Sequence, residues 1–338
     1  MNTQWTMSRF HRFVAVAMVC GFATVANAAA QPVFRISLEN ARDHVQVRVV
    51  QEFADALAAR TVGRLRVEVY PEAGLFRDRD VVRALSDGKA EMAVPGTWQL
   101  DRFEPSVGVL LLPVFYGRPP SYLYEHIDGE LGAELGRRIA ASTGAVVLGR
   151  WIDLGPIHLF TVAAPIRTHA DIVGLKLRYA GGVMNELRLA ALGAVPLGIA
   201  WPDFPEHLRR RAVDGVLTSY ESIASAALWE AGIRYAFEDS QYFGRYVPLI
   251  SAGFWRRIPE DLRQIIATTW EEQVVLAREQ AADAQERAKQ TLRLHGVTVV
   301  VPTAAELDAA RSRLLAVQPE LIERLGIDAE IISILPSP

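Results

Sequence analysis

Cysteine is almost absent from this sequence: Cys20 is the single one in 338 residues. One thiol cannot form an intramolecular disulfide, so stability has to come from a buried core. Strong charge of one sign is missing too, since the formal net charge is −3. The densest basic run, Arg209 to Arg211, is too short to make the clustered basic face that nucleic-acid binding uses, so no nucleic-acid partner is expected. The chain also lacks a G-x-S-x-G elbow, a phosphate-cradling glycine loop and an H-E-x-x-H pair. Its histidines past the first thirty residues, His44, His126, His158, His169, His207 and His295, are scattered without metal-ligand spacing. An enzyme is therefore not expected, nor a cofactor, nor a bound metal.

Residues 1–28 carry a different signal. Arg9 and Arg12 make a positive start, Phe13 to Thr24 an apolar run too short to span a bilayer, and Ala26-Asn27-Ala28 a small-residue cleavage site. This pattern predicts a secretory signal peptide and an exported, periplasmic protein. The alternative is a membrane anchor, but no long apolar segment or stop-transfer pattern follows. Attachment of lipid at Cys20 is disfavoured by Val19, where a small residue is required, and cleavage after Ala28 would discard Cys20 altogether.

Half of the residues are hydrophobic and 22% are charged, the balance of a large globule. At this length two domains are expected, because single cores stop growing at about 250–300 residues. The hydrophobic period alternates between 2 and 3.6 along the chain, which predicts an α/β fold. Strands are expected at Phe34 to Leu38, Leu65 to Val69 and Met92 to Val94, with helices over Val49 to Leu57 and Val81 to Leu85 between them. The apolar run Val107 to Phe115, broken by Pro113, is expected to be buried crossing structure. A helix over 121–141 and a strand over 146–151 follow, then a new unit starting at Ile157, Leu159 and Thr161. Later elements are a helix over 184–192, a strand over 215–218, a helix over 221–231 and a strand over 246–252. Pro259 to Leu292 predicts one long helix able to strut two lobes, and Val297 to Val301 a final strand. Thr303 and Glu306 have the spacing of a capping box for the last helix.

The stretch Thr168 to Leu192 is the best candidate for a site. Thr168 and Asp171 again have capping-box spacing, Gly174 is placed like a helix stop, and Leu175 to Tyr179 form a strand pattern that delivers Arg178 near its end. Gly181 and Gly182 open the next helix. A guanidinium beside a helix N-terminus could hold a carboxylate from two sides. A solvated or salt-bridged surface arginine is the alternative.

The order of "GLKLR", a glycine-opened helix ending "LGAVP", then "VDG" and "FWRRIPEDLRQII", resembles the solute-binding proteins of tripartite ATP-independent periplasmic (TRAP) transporters, of the C4-dicarboxylate-binding type. The upstream segment "LRVEVYPEAGLFRDRDVVRALSDGKAEMAV" is similar to that family's first lobe. The resemblance implies an α/β, two-lobed periplasmic binding fold with discontinuous domains: residues 32–155 plus 244–283 in one lobe, 156–243 plus 284–338 in the other. It implies a small organic acid anion as ligand, the membrane subunits of a TRAP transporter as partners, and a monomer. Residue by residue it implies that Arg178 forms a salt bridge with the ligand carboxylate and that Trp201 is a wall of the cleft. His158 stands where some members have a second arginine, and Thr218 where an asparagine is frequent. Glu39, Asp78 and the turn from Gly96 to Trp98 match positions that meet the ligand's far end, and Tyr220 with Glu221 could add a hydroxyl and a carboxylate.

Each of these has a plainer alternative. His158 could be a strand histidine hydrogen-bonded to backbone, Trp98 and Trp201 core aromatics, Asp78 a helix cap, and Tyr220 with Glu221 a helix start. A receptor feeding a sensor is a second possibility for the whole chain, since the same fold serves both roles.

Overall fold

The computed structural model describes Met1 and residues 31–335; the leader expected over 1–28 lies, Met1 apart, outside the described residues. The chain begins β1 (Val33–Ser37), α1 (Val45–Thr61), β2 (Arg66–Tyr70), α2 (Asp78–Ser86) and β3 (Met92–Ala93). Inward-facing Phe34, Ile36, Val50, Phe53 and Leu57 are buried, which is why the alternating and helical periods of this opening were readable. Two 3-10 segments, Pro105–Leu111 and Pro113–Phe115, then cross through the interior.

Next come α3 (Pro120–Ile127), α4 (Glu130–Thr143), β4 (Ala145–Val147), β5 (Ile152–Thr161), β6 (Lys176–Tyr179), α5 (Val183–Ala191) and β7 (Val195–Gly198). The chain continues through α6 (Phe204–Arg209), β8 (Gly215–Thr218), α7 (Tyr220–Ser225), β9 (Tyr235–Tyr246), β10 (Leu249–Ser251) and α8 (Ala252–Arg257). It ends with α9 (Glu260–Leu294), β11 (Thr298–Val300), α10 (Ala304–Leu325) and α11 (Ala329–Ser333).

The strands form two sheets, ordered β2-β1-β3-β10-β4 and β11-β9-β5-β8-β6-β7. In the first, β1 runs parallel to β2 and β3, while β10 is antiparallel to β3 and β4. In the second, the long strands β5 and β9 pair antiparallel, with register shifts between Asp153 and Gly155 and between Ile157 and Leu159. The 35-residue α9 links the two sheets. Its Trp270 packs edge-on against Phe53 of α1, and its Ala288 and Leu292 enter the core beneath the second sheet. Between those points Gln285 bonds the Leu154 carbonyl (2.6 Å) and receives the Glu221 N–H (3.1 Å), pinning the irregular part of β5 to the start of α7.

The structure corrects the sequence-based elements at several places. The expected helix over 121–141 is two, α3 and α4, broken at Asp128-Gly129, a dipeptide that favours turns. A side chain at Gly132 would meet the Ile127 carbonyl at 1.7 Å, so the two helices close tightly there. The strand expected over 146–151 stops at Val147, and the one expected to start at Ile157 already begins at Ile152. The helix over 221–231 ends at Ser225, because Ala227 adopts a left-handed turn (φ 47°). Where one strand was expected over 246–252, β9 ends at Tyr246 and β10 covers 249–251. Strand β9 itself was missed, since Glu238, Asp239, Ser240 and Gln241 interrupt its apolar pattern.

Candidate functional site

Strand β6 brings Arg178 to the interior. The capping box at Thr168 and Asp171 holds the 3-10 turn His169–Ile172, and Gly174 (φ 80°) redirects the chain into β6. Arg178 pairs with Val216 of β8, and Thr218 of β8 pairs with His158 of β5, so the three side chains leave one face of the second sheet.

Arg178 is 1% exposed. Its Nε donates to the Ile199 carbonyl (2.8 Å), and its guanidinium lies 5.2 Å from the ring centroids of both Trp201 and Phe204. Its Nη2 has no hydrogen-bond partner. Burial pushes the pKa down to about 10, opposed by the negative charge of Glu39, so the group remains a cation at neutral pH. A buried cation without an ion pair is expensive, and its stability depends on what else enters the site.

Opposite stand residues that follow the first sheet. Glu39 is buried; burial pushes its pKa up, while Arg178, Arg77 and the Asp78 N–H pull it down. Asp78 opens α2, with Arg77 rather than Asp78 at the cap position. Its carboxyl is raised well above the ordinary range by burial and then by the Glu39 charge, against one hydrogen bond from the Gly96 backbone. Trp98 packs edge-on against Tyr246 with centroids 5.5 Å apart, and Asn40 donates to the Tyr246 hydroxyl (2.9 Å).

A cavity of about 390 Å³ between the two sides is lined by Glu39, Arg79, Gln99, Asp101, Arg102 and Ile199 among others; of the expected site residues it takes in only Glu39. Arg77 grips Asp203 bidentately (2.5 and 3.0 Å), and Gln99 Nε2 donates to the Ala180 carbonyl (2.9 Å). Asp101 Oδ2 accepts the Met184 N–H (2.9 Å), and burial raises the Asp101 pKa to about 6.

That last contact corrects the expected chemistry of the glycine-opened helix. The N-terminus of α5 was expected to share the ligand carboxylate with Arg178; instead the Asp101 carboxylate occupies it. The glycines serve close approach. A Cβ on Gly182 (φ 88°) would lie 2.2 Å from the Trp98 carbonyl, and one on Gly181 2.8 Å from the Gln99 side chain.

His158, Thr218 and Tyr220 are buried on the same side of the sheet. His158 Nδ1 accepts the Ser240 N–H (3.0 Å), its ring lies 5.2 Å from that of Tyr220, and burial together with Lys289 lowers its pKa to about 3. Its neighbours thus differ from those of Arg178. Tyr220 is the first residue of α7, capped by Ser219, and its hydroxyl donates to Glu238 (3.3 Å). Glu221 accepts the Val45 N–H (2.8 Å) and faces His44 Nε2 at 3.1 Å, joining α7 to the start of α1.

Sequence reasoning missed Asn185 and Tyr242. Asn185 donates to the Gly181 carbonyl (3.0 Å) and, at 3.5 Å, to the Tyr242 hydroxyl, and its Oδ1 is buried without a partner. The only signal was an amide in the first turn of α5, between Met184 and Glu186; Tyr242 gave none, since its strand was not recognised.

The profile of the family described as "Bacterial extracellular solute-binding protein, family 7" (DctP) matches residues 36–324. The C4-dicarboxylate-binding periplasmic protein DctP of Rhodobacter capsulatus is 27% identical over 307 residues, covering 89% of this chain and 90% of that protein. The 2,3-diketo-L-gulonate-binding periplasmic protein YiaO of Escherichia coli is 24% identical, covering 84% and 85%. Among solved structures, the sugar acid binding protein of Advenella mimigardefordensis in complex with galactonate superposes with a TM-score of 0.84 at 20% identity, covering 90% and 96%. A TRAP periplasmic solute-binding protein of Sulfurospirillum deleyianum with bound succinate gives 0.82 at 22% identity, covering 90% and 98%. These likenesses establish the two-lobed fold.

Proposed function

Because this chain belongs to family 7 of the bacterial extracellular solute-binding proteins, we propose that it captures a small organic acid anion, its carboxylate against Arg178, and delivers it to the membrane subunits of a TRAP transporter. The observation that carries this reading is the buried Arg178 guanidinium with one nitrogen unpartnered and two aromatic rings fixing its plane. Arginine offers a rigid fork of donors that matches a carboxylate, and burial keeps water from competing. Relatives named for dicarboxylate or keto-acid binding, and neighbours holding galactonate or succinate, support the ligand class.

In this reading Trp201 walls the carboxylate end, Glu39, Asp78 and Trp98 meet the far end, and Thr218 adds a hydroxyl on the Arg178 face. His158 and Tyr220 lie on the same face beside Thr218, where His158 is held by the Ser240 N–H and Tyr220 by Glu238. The lobes comprise residues 32–155 plus 244–283 and 156–243 plus 284–338, and the leader over 1–28 directs a monomer to the periplasm. A thermal-shift screen of organic acids tests the reading: binding to the folded state must raise the melting temperature with ligand concentration. A panel of mono- and dicarboxylates that leaves it unmoved would overturn carboxylate capture.

A further inference from the structure

We propose that Arg77 is a positioning residue: through Asp203 it fixes the two rings beside the Arg178 guanidinium, so that bringing the two sides of the cleft together completes the anion site. The proposal rests on the carboxylate-capture reading and adds a residue that acts on the bound anion without touching it.

Three observations carry it. First, the groups around Arg178 come from one short stretch of chain. The Ile199 carbonyl accepts from its Nε, and the Trp201 and Phe204 rings lie 5.2 Å from its guanidinium. Secondly, that stretch is anchored unevenly. Phe204 is buried in the core with Phe160 of β5 and Val216 of β8, and the Ile199 N–H donates to the Tyr179 carbonyl (3.3 Å). The 3-10 turn between them, Trp201–Asp203, buries none of its residues and has no side-chain cap. A turn with so little burial opens easily unless something else ties it down. Thirdly, the tie comes from across the cleft. Arg77 stands at the cap position of α2, a helix packed on β3 and β10 of the first sheet. Its two terminal nitrogens donate to the two Asp203 carboxylate oxygens (2.5 and 3.0 Å). Such a fork fixes direction as well as distance. Among the described residues the Asp203 carboxylate bonds nothing else.

The pair is partly exposed, with side chains 31% and 45% accessible, so its effect is a few-fold one and is screened by salt. Direct attraction of the anion by the Arg77 charge is the rival explanation. It makes the opposite demand on Asp203: removing that carboxylate would then free a cation and tighten binding.

Stopped-flow fluorescence and calorimetry on wild type, Arg77→Gln, Asp203→Asn and the double variant decide it, with whichever of galactonate, erythronate, succinate and glutarate binds wild type tightest. Each single variant should bind about three- to fivefold more weakly, the scale of a partly exposed ion pair. The loss should lie in a faster koff, with kon within about twofold of wild type, because the contact forms only after the sides close. The double variant should be no weaker than either single one, since both remove the same contact. The difference from wild type should vanish in about 1 M salt. Hydrogen exchange over Trp201–Leu208 in the complex should quicken in both single variants, which a loss confined to α2 would not cause. Wild-type affinity in either single variant, tighter binding in Asp203→Asn, additive losses in the double variant, or unchanged exchange over Trp201–Leu208 would overturn the proposal while carboxylate capture stands. No binding of any of these acids to wild type would overturn both.

Discussion

Replacing the Arg178 guanidinium with a methyl group should cost about 2–5 kcal/mol of binding free energy, the range for truncating one partner of a buried, hydrogen-bonded charge pair. Arg178→Lys should also bind poorly, because an ammonium can neither span both carboxylate oxygens nor present a flat guanidinium to the nearby Trp201 and Phe204 rings. Calorimetry on both variants, with circular dichroism to confirm folding, checks this; near wild-type affinity in either would contradict it. His158 calls for the opposite outcome. Its lowered pKa, about 3, keeps it neutral between pH 5.5 and 8, so ligand binding should draw no proton onto this ring. Calorimetry in buffers of different ionisation enthalpy should give the same proton count for wild type and His158→Gln. A difference between them would restore the imidazole to the ligand's surroundings. Arg178 was legible in sequence because "GLKLR" puts it at a strand end before glycines. The environment of His158 was not, since its partner Ser240 lies on a strand 82 residues away that sequence did not reveal.

Among the elements, α5 shows how one part can have two readings. Its glycines mark a helix start at which an anion is welcome, and sequence could see that much. The anion is Asp101, 83 residues earlier in the chain, and no local pattern predicts a cap supplied from so far away. Burial raises the Asp101 pKa from an ordinary 3.8 to about 6, so this carboxyl contributes stability that is fully present below about 4 and lost as pH rises through 6. Asp101→Asn keeps a carbonyl for the Met184 N–H and has nothing to titrate. Melting temperatures measured from pH 4 to 7 should therefore show wild type losing stability relative to Asp101→Asn as pH rises. Parallel curves would mean that Asp101 titrates normally. The long helix α9 was legible almost end to end, because its run contains no internal proline or glycine. The short α7 was not, since Ala226, Ala227 and Leu228 after Ser225 favour helix while the left-handed turn at Ala227 ends it.

For the whole molecule, the contacts of Arg77 with Asp203, Gln99 with Ala180 and Asp101 with Met184 hold the two sides of the cleft together without any ligand contact. One partly exposed ion pair and two hydrogen bonds to backbone contribute little each, so they do not fix a closed state alone. A carboxylate that reaches Arg178 and the Glu39 side at once binds the closed arrangement better than the open one and shifts the balance by that difference. The α/β architecture was legible from alternating periods, and the two lobes from the resemblance carried by motif order. The way β5 and β9 run together was not, because their register shifts and the polar middle of β9 obscure the strand pattern.

X-ray scattering tests most directly whether a carboxylate on Arg178 is what closes this cleft. Wild type and Arg178→Ala would be measured with and without the tightest-binding acid of the panel, at a concentration saturating for wild type. The radius of gyration of wild type should fall on binding, and that of Arg178→Ala should not change. Identical profiles for wild type with and without ligand, or the same contraction in Arg178→Ala, would contradict the account.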